Sequence, residues 1–109
     1  MAYEQALHAL ADPTRREVFE QLRIGPSPVG RLAQRLPVTR PAVSQHLKVL
    51  KDAGLVREKK VGTRRVYSVE LSGLQELRSY LDGFWGDVLQ AFKAEAEQPA
   101  QRSGPRRAR

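Results

Sequence analysis

The segment RPAVSQHLKVLKDA, residues 40–53, carries the residue types best suited to reading a nucleic acid. Projected as a helix at about 100° per residue, Val43, Leu47 and Leu50 fall on one side. Arg40, Pro41, Ser44, Gln45 and Lys48 fall on the other. A face that enters a major groove needs short, hydrogen-bonding or basic side chains in its N-terminal half, and no acid there. Gln45 can donate to and accept from adenine, Ser44 can approach a base pair or a phosphate, and Arg40 can pair with guanine or clamp a phosphate. The helix N-terminus adds its own preference for a phosphate oxygen. The alternative is a solvated face, which usually mixes in Glu and Asp; here Asp52 lies on this side at the far end.

A second basic cluster follows. Lys59, Lys60, Arg64 and Arg65 flank Gly62 and Thr63. Such a hairpin tip can be an edge blunted with lysines. Beside a reading helix, the expectation is a tip that contacts phosphates or enters the neighbouring minor groove. Tyr67 alternates with Val66 and Ser68 and shares a face with Val69, so its expected role is structural. His46 lies beside the apolar side of its helix and is expected to be partly buried, with a hydrogen bond to backbone or phosphate. His8 is a packed or exposed residue of the first helix. Two histidines on separate elements and no cysteine make no metal-ligand cluster. The chain has no Ser-His-Asp or Cys-His set, no glycine-rich phosphate loop and no paired carboxylates with a pocket signature. The reading is therefore of a protein that is not an enzyme, with no cofactor and no metal.

These groups need elements to hold them. Residues 3–11 have helical apolar spacing. Asp12 and Pro13 form an N-cap and first-turn pair for a helix that carries Val18, Phe19 and Leu22 inward and ends at Gly25. PSP at 26–28 is a connector, and residues 29–36 form a short helix. A break at PVT follows, with Thr39 as N-cap of the helix over 40–53 and Gly54 in its left-handed terminating position. LVREKKV and RRVYSVE alternate apolar and polar residues around a glycine turn and predict two strands. A long helix runs from Ser72 to about Glu97, and Pro99 stops it. Residues 99–109, polar, Pro/Gly-containing and basic, read as a disordered tail. The predicted fold is mainly α with a small β-hairpin: a winged helix-turn-helix of five helices and a two-stranded wing, with one domain over 1–98.

Length and charge agree. A chain of 109 residues suggests one domain. The net charge of +7 is unevenly placed, with ten Lys and Arg against two acids over residues 25–69. A phosphate-facing surface would concentrate charge in this way. The N-terminus lacks the pattern of a signal peptide, and no apolar run approaches the roughly 20 residues of a membrane span, which predicts a cytoplasmic protein.

The last helix has more apolar surface than one small domain can cover. Leu71, Leu74, Leu77, Tyr80, Leu81, Phe84, Trp85, Val88, Leu89 and Phe92 would leave a large exposed patch on a monomer. A purely intradomain core helix is the alternative. The expectation is a two-fold dimer through Tyr3 and Leu7 of the first helix and Leu81, Phe84, Trp85, Val88, Leu89 and Phe92 of the last. Two reading helices would then lie about 34 Å apart, matching an inverted-repeat site.

ALADPTRREVFEQL, VGRLAQRLPVTRPAVSQHLKVLKDAGLV and VGTRRVYSV together resemble the ArsR-type bacterial winged-helix repressors, over about residues 5–95. The resemblance implies a homodimeric transcriptional regulator that binds operator DNA, often its own promoter, through Arg40, Pro41, Ser44, Gln45 and the wing. Metal-sensing members carry paired cysteines in the helix before the reading helix, or histidines and carboxylates on the last helix. Here the first region has no cysteine and the last helix no histidine, and Asp82 and Asp87, five apart, do not share a face. YLDGFWGDVLQAFKAEAE is more similar to the metal-independent subgroup, whose last helix carries an aromatic pair. An effector- or metal-responsive repressor on the same scaffold and a winged-helix protein-interaction module are the alternatives.

Overall fold

The stretch ADPTRR makes the first corner of the fold. In the computed structural model, which describes residues 2–97, helix α1 spans Ala2–Leu10 and helix α2 spans Pro13–Gln21. The Asp12 carboxylate accepts the Arg15 backbone N–H at 3.0 Å and so caps α2, whose first residue is Pro13. The two arginines turn back to α1. Arg15 Nη1 donates to the Ala9 carbonyl and Arg16 Nη1 to that of Leu10, satisfying carbonyls the end of a helix leaves open.

Helix α2 ends four residues before the expected Gly25. Residues 22–25 continue as single i→i+3 turns, with the Leu22 N–H donating to the Phe19 carbonyl and the Gly25 N–H to that of Leu22. Ser27–Pro28 is a strand, β1, where the sequence predicts a connector. Helix α3 (Val29–Arg35), a four-residue turn and helix α4 (Arg40–Asp52) form the helix-turn-helix. Thr39 caps α4, its hydroxyl accepting the Ala42 N–H at 3.2 Å.

The inner face of α4 makes the centre of the core. Val43, Leu47 and Leu50 are completely buried, together with Val18 of α2, Leu32 of α3 and Leu55 beyond α4. Ala6 and Ala9 of α1, Leu22 and Val56 complete this cluster, and Tyr67 and Val69 pack against it. Burying a leucine or valine side chain is worth about 1.5–3 kcal/mol, so these few residues fix the rotational setting of α4.

The end of α4 is a Schellman motif. The Leu55 N–H donates to the Leu50 carbonyl and the Gly54 N–H to that of Lys51, with Gly54 at φ +80°. Strands β2 (Val56–Val61) and β3 (Arg64–Val69) then form an antiparallel hairpin from Val56↔Val69 to Val61↔Arg64. Its two-residue turn has Gly62 at φ +63° and no positive φ at Thr63, the pattern of a type II′ turn. β1 adds to the free edge of β3, Ser27 opposite Tyr67 and Pro28 opposite Val66, so the sheet order is β1-β3-β2. Two residues are too short to show alternation, and proline at a sheet edge reads like a loop.

Helix α5 spans Leu71–Ala96. The chain divides into two compact units, Met1–Arg78 and Ser79–Arg109. In the first unit, α5 begins against the end of α4. The Glu70 N–H donates to the Leu55 carbonyl at 2.8 Å, and Leu77 is buried. Gly73 has no room for a side chain, since a Cβ there would lie 1.9 Å from the Gly54 carbonyl oxygen. The described part of the second unit is the remainder of α5, whose side chains are exposed. Pro99 and the tail over 99–109 lie outside the described residues.

Gly73→Ala is expected to destabilise the protein by about 3 kcal/mol, the upper end of the usual overpacking range, because the obstructing atoms belong to backbone. Urea unfolding measures it; a loss below about 1 kcal/mol would contradict the close contact.

Candidate nucleic-acid interface

Burial of Val43, Leu47 and Leu50 turns the other side of α4 outward. Arg40, Pro41, Ser44, Gln45 and Lys48 are all exposed, and the first turn of α4 contains no acid. The sequence-predicted hairpin residues Lys59, Lys60, Gly62, Thr63, Arg64 and Arg65 are exposed as well. They are not gathered in one cleft. Arg40, Ser44, Thr63, Arg64 and Arg65 line a cleft between α4 and the hairpin tip, with Arg31 and Gln34 of α3 on its other wall. Pro41, Ser44, Gln45, Lys48 and Arg65 line an adjoining cleft along α4. Lys59, Lys60 and Gly62 line neither.

Helix α3 contributes more than sequence spacing suggests. Its backbone at Gly30 lies under the Arg40 guanidinium, where an added Cβ would make ordinary contact at 3.7 Å. Arg31 and Gln34, one helical turn apart, reach the first cleft beside it. Their spacing from the apolar Leu32 and Ala33 marks a polar face, but the cleft it faces exists only once the hairpin is docked.

Two of the predicted cations are engaged. Lys48 Nζ lies 3.3 Å from Asp52 Oδ2, one turn along α4, with both side chains about two-thirds exposed. An ion pair this exposed contributes little to stability and is readily exchanged. Arg65 Nη1 instead donates to Glu58 Oε2, and Lys51 Nζ of α4 lies 2.8 Å from Glu58 Oε1. The register explains this meeting. Glu58 is directly opposite Tyr67, so the diagonal neighbour Arg65 shares its face of the hairpin, the face carrying buried Val56. Glu58 is the lone acid over residues 57–65. Only its tertiary partners distinguish it from a solvated residue.

Among the described residues, three carboxyls, of which only Glu58 lines a cleft, are held below the usual carboxylate range. For Asp12 the main cause is the Arg15 backbone N–H, for Glu58 the hydrogen bonds from Lys51 and then Arg65, and for Glu70 the Ser72 hydroxyl. The same pairing raises Lys51 and Arg65.

His46 is half-buried, as its position beside the core face predicts. Its buried Nδ1 has no hydrogen-bond partner, so the expected backbone bond is not made at that atom. His8 is exposed. Among the described residues no group of three or more His, Cys, Asp or Glu is placed to hold a metal ion, and no helix is long and apolar enough to cross a membrane. Of the residues expected to pair two copies, Tyr3 is half-buried and Leu7 is 41% exposed. Leu81, Phe84, Trp85, Val88, Leu89 and Phe92 are 40–71% exposed.

A helix-turn-helix whose second helix presents a polar, acid-free N-terminal face beside a basic hairpin defines a winged-helix DNA-binding regulator, a class without enzymatic activity. A family model described as a helix-turn-helix domain matches residues 10–59. The chain is 55% identical over 89 residues to the HTH-type transcriptional regulator Rv2034 of Mycobacterium tuberculosis, covering 82% of this chain and 83% of that protein. It is 30% identical to the transcriptional repressor SdpR of Bacillus subtilis, over 70% of this chain and 84% of that one. An ArsR-like transcriptional regulator from Rhodococcus sp. RHA1 has a similar structure, with a TM-score of 0.77 and 29% identity over 88% of this chain and 91% of that one. The protein belongs to the ArsR-type helix-turn-helix transcriptional regulators.

A carboxyl with a lowered pKa stabilises the fold above its ordinary titration range, and that contribution is lost as pH falls through the folded value. Stability is therefore expected to drop from about pH 5 downward as Asp12, Glu58 and Glu70 protonate. Asp12→Asn keeps a capping oxygen but cannot lose a charge, and should flatten that fall. Urea midpoints across pH would measure both; an equally steep acid loss in the variant would contradict the assignment to Asp12.

Proposed function

We propose that the protein is a homodimeric repressor that binds an inverted-repeat operator in the major groove. The exposed face of Arg40, Pro41, Ser44, Gln45 and Lys48 carries this reading, because the core leaves that face no packing role. Gln45 and Arg40 are assigned to base edges, Ser44 to a base or phosphate, and Lys48 to phosphate. Lys59, Lys60, Gly62, Thr63 and Arg64 form the part of the wing that contacts phosphates or the adjacent minor groove, while Arg65, also expected there, is engaged by Glu58. The names of the relatives, a transcriptional regulator and a transcriptional repressor, support the same role.

A second copy of the chain is the proposed cover for the exposed apolar residues of α5 from Leu81 to Phe92 and for Tyr3 and Leu7 of α1. Six large apolar side chains in open water favour association, and a two-fold axis would present two reading helices about one turn of duplex apart. Residues 1–98 would then serve as the DNA-binding and dimerisation domain, with 99–109 as a basic tail. The chain would act in the bacterial cytoplasm, on nucleoid DNA.

Mobility shift on the duplex upstream of the gene tests the function. Binding that is sequence-selective and steeply weakened by salt is expected, and no preference over random duplex at moderate salt would refute it. Gln45→Ala should weaken cognate binding by about 1–3 kcal/mol and leave random DNA nearly unchanged, whereas Lys60→Ala should weaken both alike. Equal losses on both duplexes from both variants would contradict that division. Light scattering at micromolar concentration should give the dimer mass, and Trp85→Glu should shift it to the monomer; a monomeric parent would remove the two-half-site geometry.

A further inference from the structure

The strongest charge feature outside the reading face is the Lys51–Glu58–Arg65 triad. Each Glu58 oxygen holds its own cation, Lys51 Nζ at Oε1 and Arg65 Nη1 at Oε2. The three groups belong to α4, β2 and β3, so one carboxylate ties the reading helix to both strands of the hairpin. The burial is unequal. The Glu58 side chain is 13% exposed, whereas those of Lys51 and Arg65 are 50% and 67% exposed. The cations reach solvent, but their counter-charge lies beneath them in the cleft that also contains Gln45 and Lys48.

We infer that Glu58 is a specificity-determining positioning residue, which withholds Lys51 and Arg65 from DNA phosphates and so suppresses sequence-independent binding. This rests on the DNA-binding role proposed above. A phosphate approaching either cation meets a carboxylate already in contact, whose charge offsets that of the cation. Leaving such a carboxylate unpaired is costly, so the cations stay with it. Glu58 is ionised at neutral pH, as an ordinary carboxylate is, and both partners favour that charged form further. Random duplex is bound almost entirely through cations, whereas an operator is also held by base contacts. Removing two cations from the phosphate-binding set therefore costs random binding proportionately more. The triad also holds Arg65 at the junction of the two clefts, between the Arg40 wall and the Gln45 wall.

Glu58→Gln keeps the side-chain size and removes the charge. The full-length variant, assayed on operator and random duplex across salt, should bind random duplex more tightly than the parent and discriminate less. Its slope of log affinity against log salt should steepen by up to about 1.8, two phosphates' worth, so its advantage on random duplex falls about tenfold between 50 and 200 mM salt. Adding Lys51→Gln and Arg65→Gln to Glu58→Gln should return the slope to the parent's. An unchanged slope in Glu58→Gln, or equal weakening on both duplexes, would overturn the proposal and leave Glu58 a purely structural residue. Lys51→Gln alone covers the case in which Glu58→Gln does not fold. It should leave the slope unchanged, and a fall of about 0.9 would show that Lys51 already binds phosphate and refute the proposal. If the parent itself fails to discriminate between the duplexes, the DNA-reading role fails instead.

Discussion

The burial of Val43, Leu47 and Leu50 is the constraint on which the rest of the structure depends. A helix has one rotational degree of freedom about its own axis. Three fully buried side chains in the stripe remove it for α4. With that angle set, Ser44, Gln45 and Lys48 have nowhere to go but outward. Leu55, closing the Schellman turn against Leu50, extends the same packing into the hairpin. Packing and exposure are therefore two readings of one sequence pattern, and a function placed on the outer face inherits its geometry from the inner one.

Charge is organised around that frame in two ways. Arg31 of α3, Arg40 and Lys48 of α4 and Arg64 of the hairpin line the two clefts and are exposed. Lys51 and Arg65 lie within the same region but converge on Glu58. A surface built only from cations would bind any duplex strongly. One mostly buried carboxylate among them makes the positive field uneven, and unevenness is what favours one register over another. The Lys48–Asp52 pair is different, since both side chains are largely exposed and water competes for them.

Local chemistry was legible wherever a residue acts on its neighbours in the chain. Asp12 and Thr39 cap the helices that follow them, Gly54 ends α4, and Gly62 makes the hairpin turn; each sits where its type and spacing place it. The outer face of α4 followed from periodicity alone. The resemblance to ArsR-type regulators was carried by the same stretches. What was not legible depends on distant partners. Ser27–Pro28 becomes a strand because β3 offers an unpaired edge. Residues 22–25 are a local exception, leaving the helix in i→i+3 turns although Gly25 is the expected terminator. Glu58 sits in a basic run and has no local pattern to mark it.

The amino-acid sequence alone settled the types of the elements other than β1, the apolar face of α4, the lack of thiol chemistry and the clustering of positive charge, because these are properties of composition and short-range spacing. Folding settled which cations stay open to solvent and which are neutralised. It brought Arg31 and Gln34 beside α4 and gave the PSP connector a place in the sheet. It also forbade any side chain at Gly73, which meets the Gly54 carbonyl nineteen residues earlier in the chain. Each of these is a contact between different elements of the fold, and no residue in either element encodes the distance that separates them.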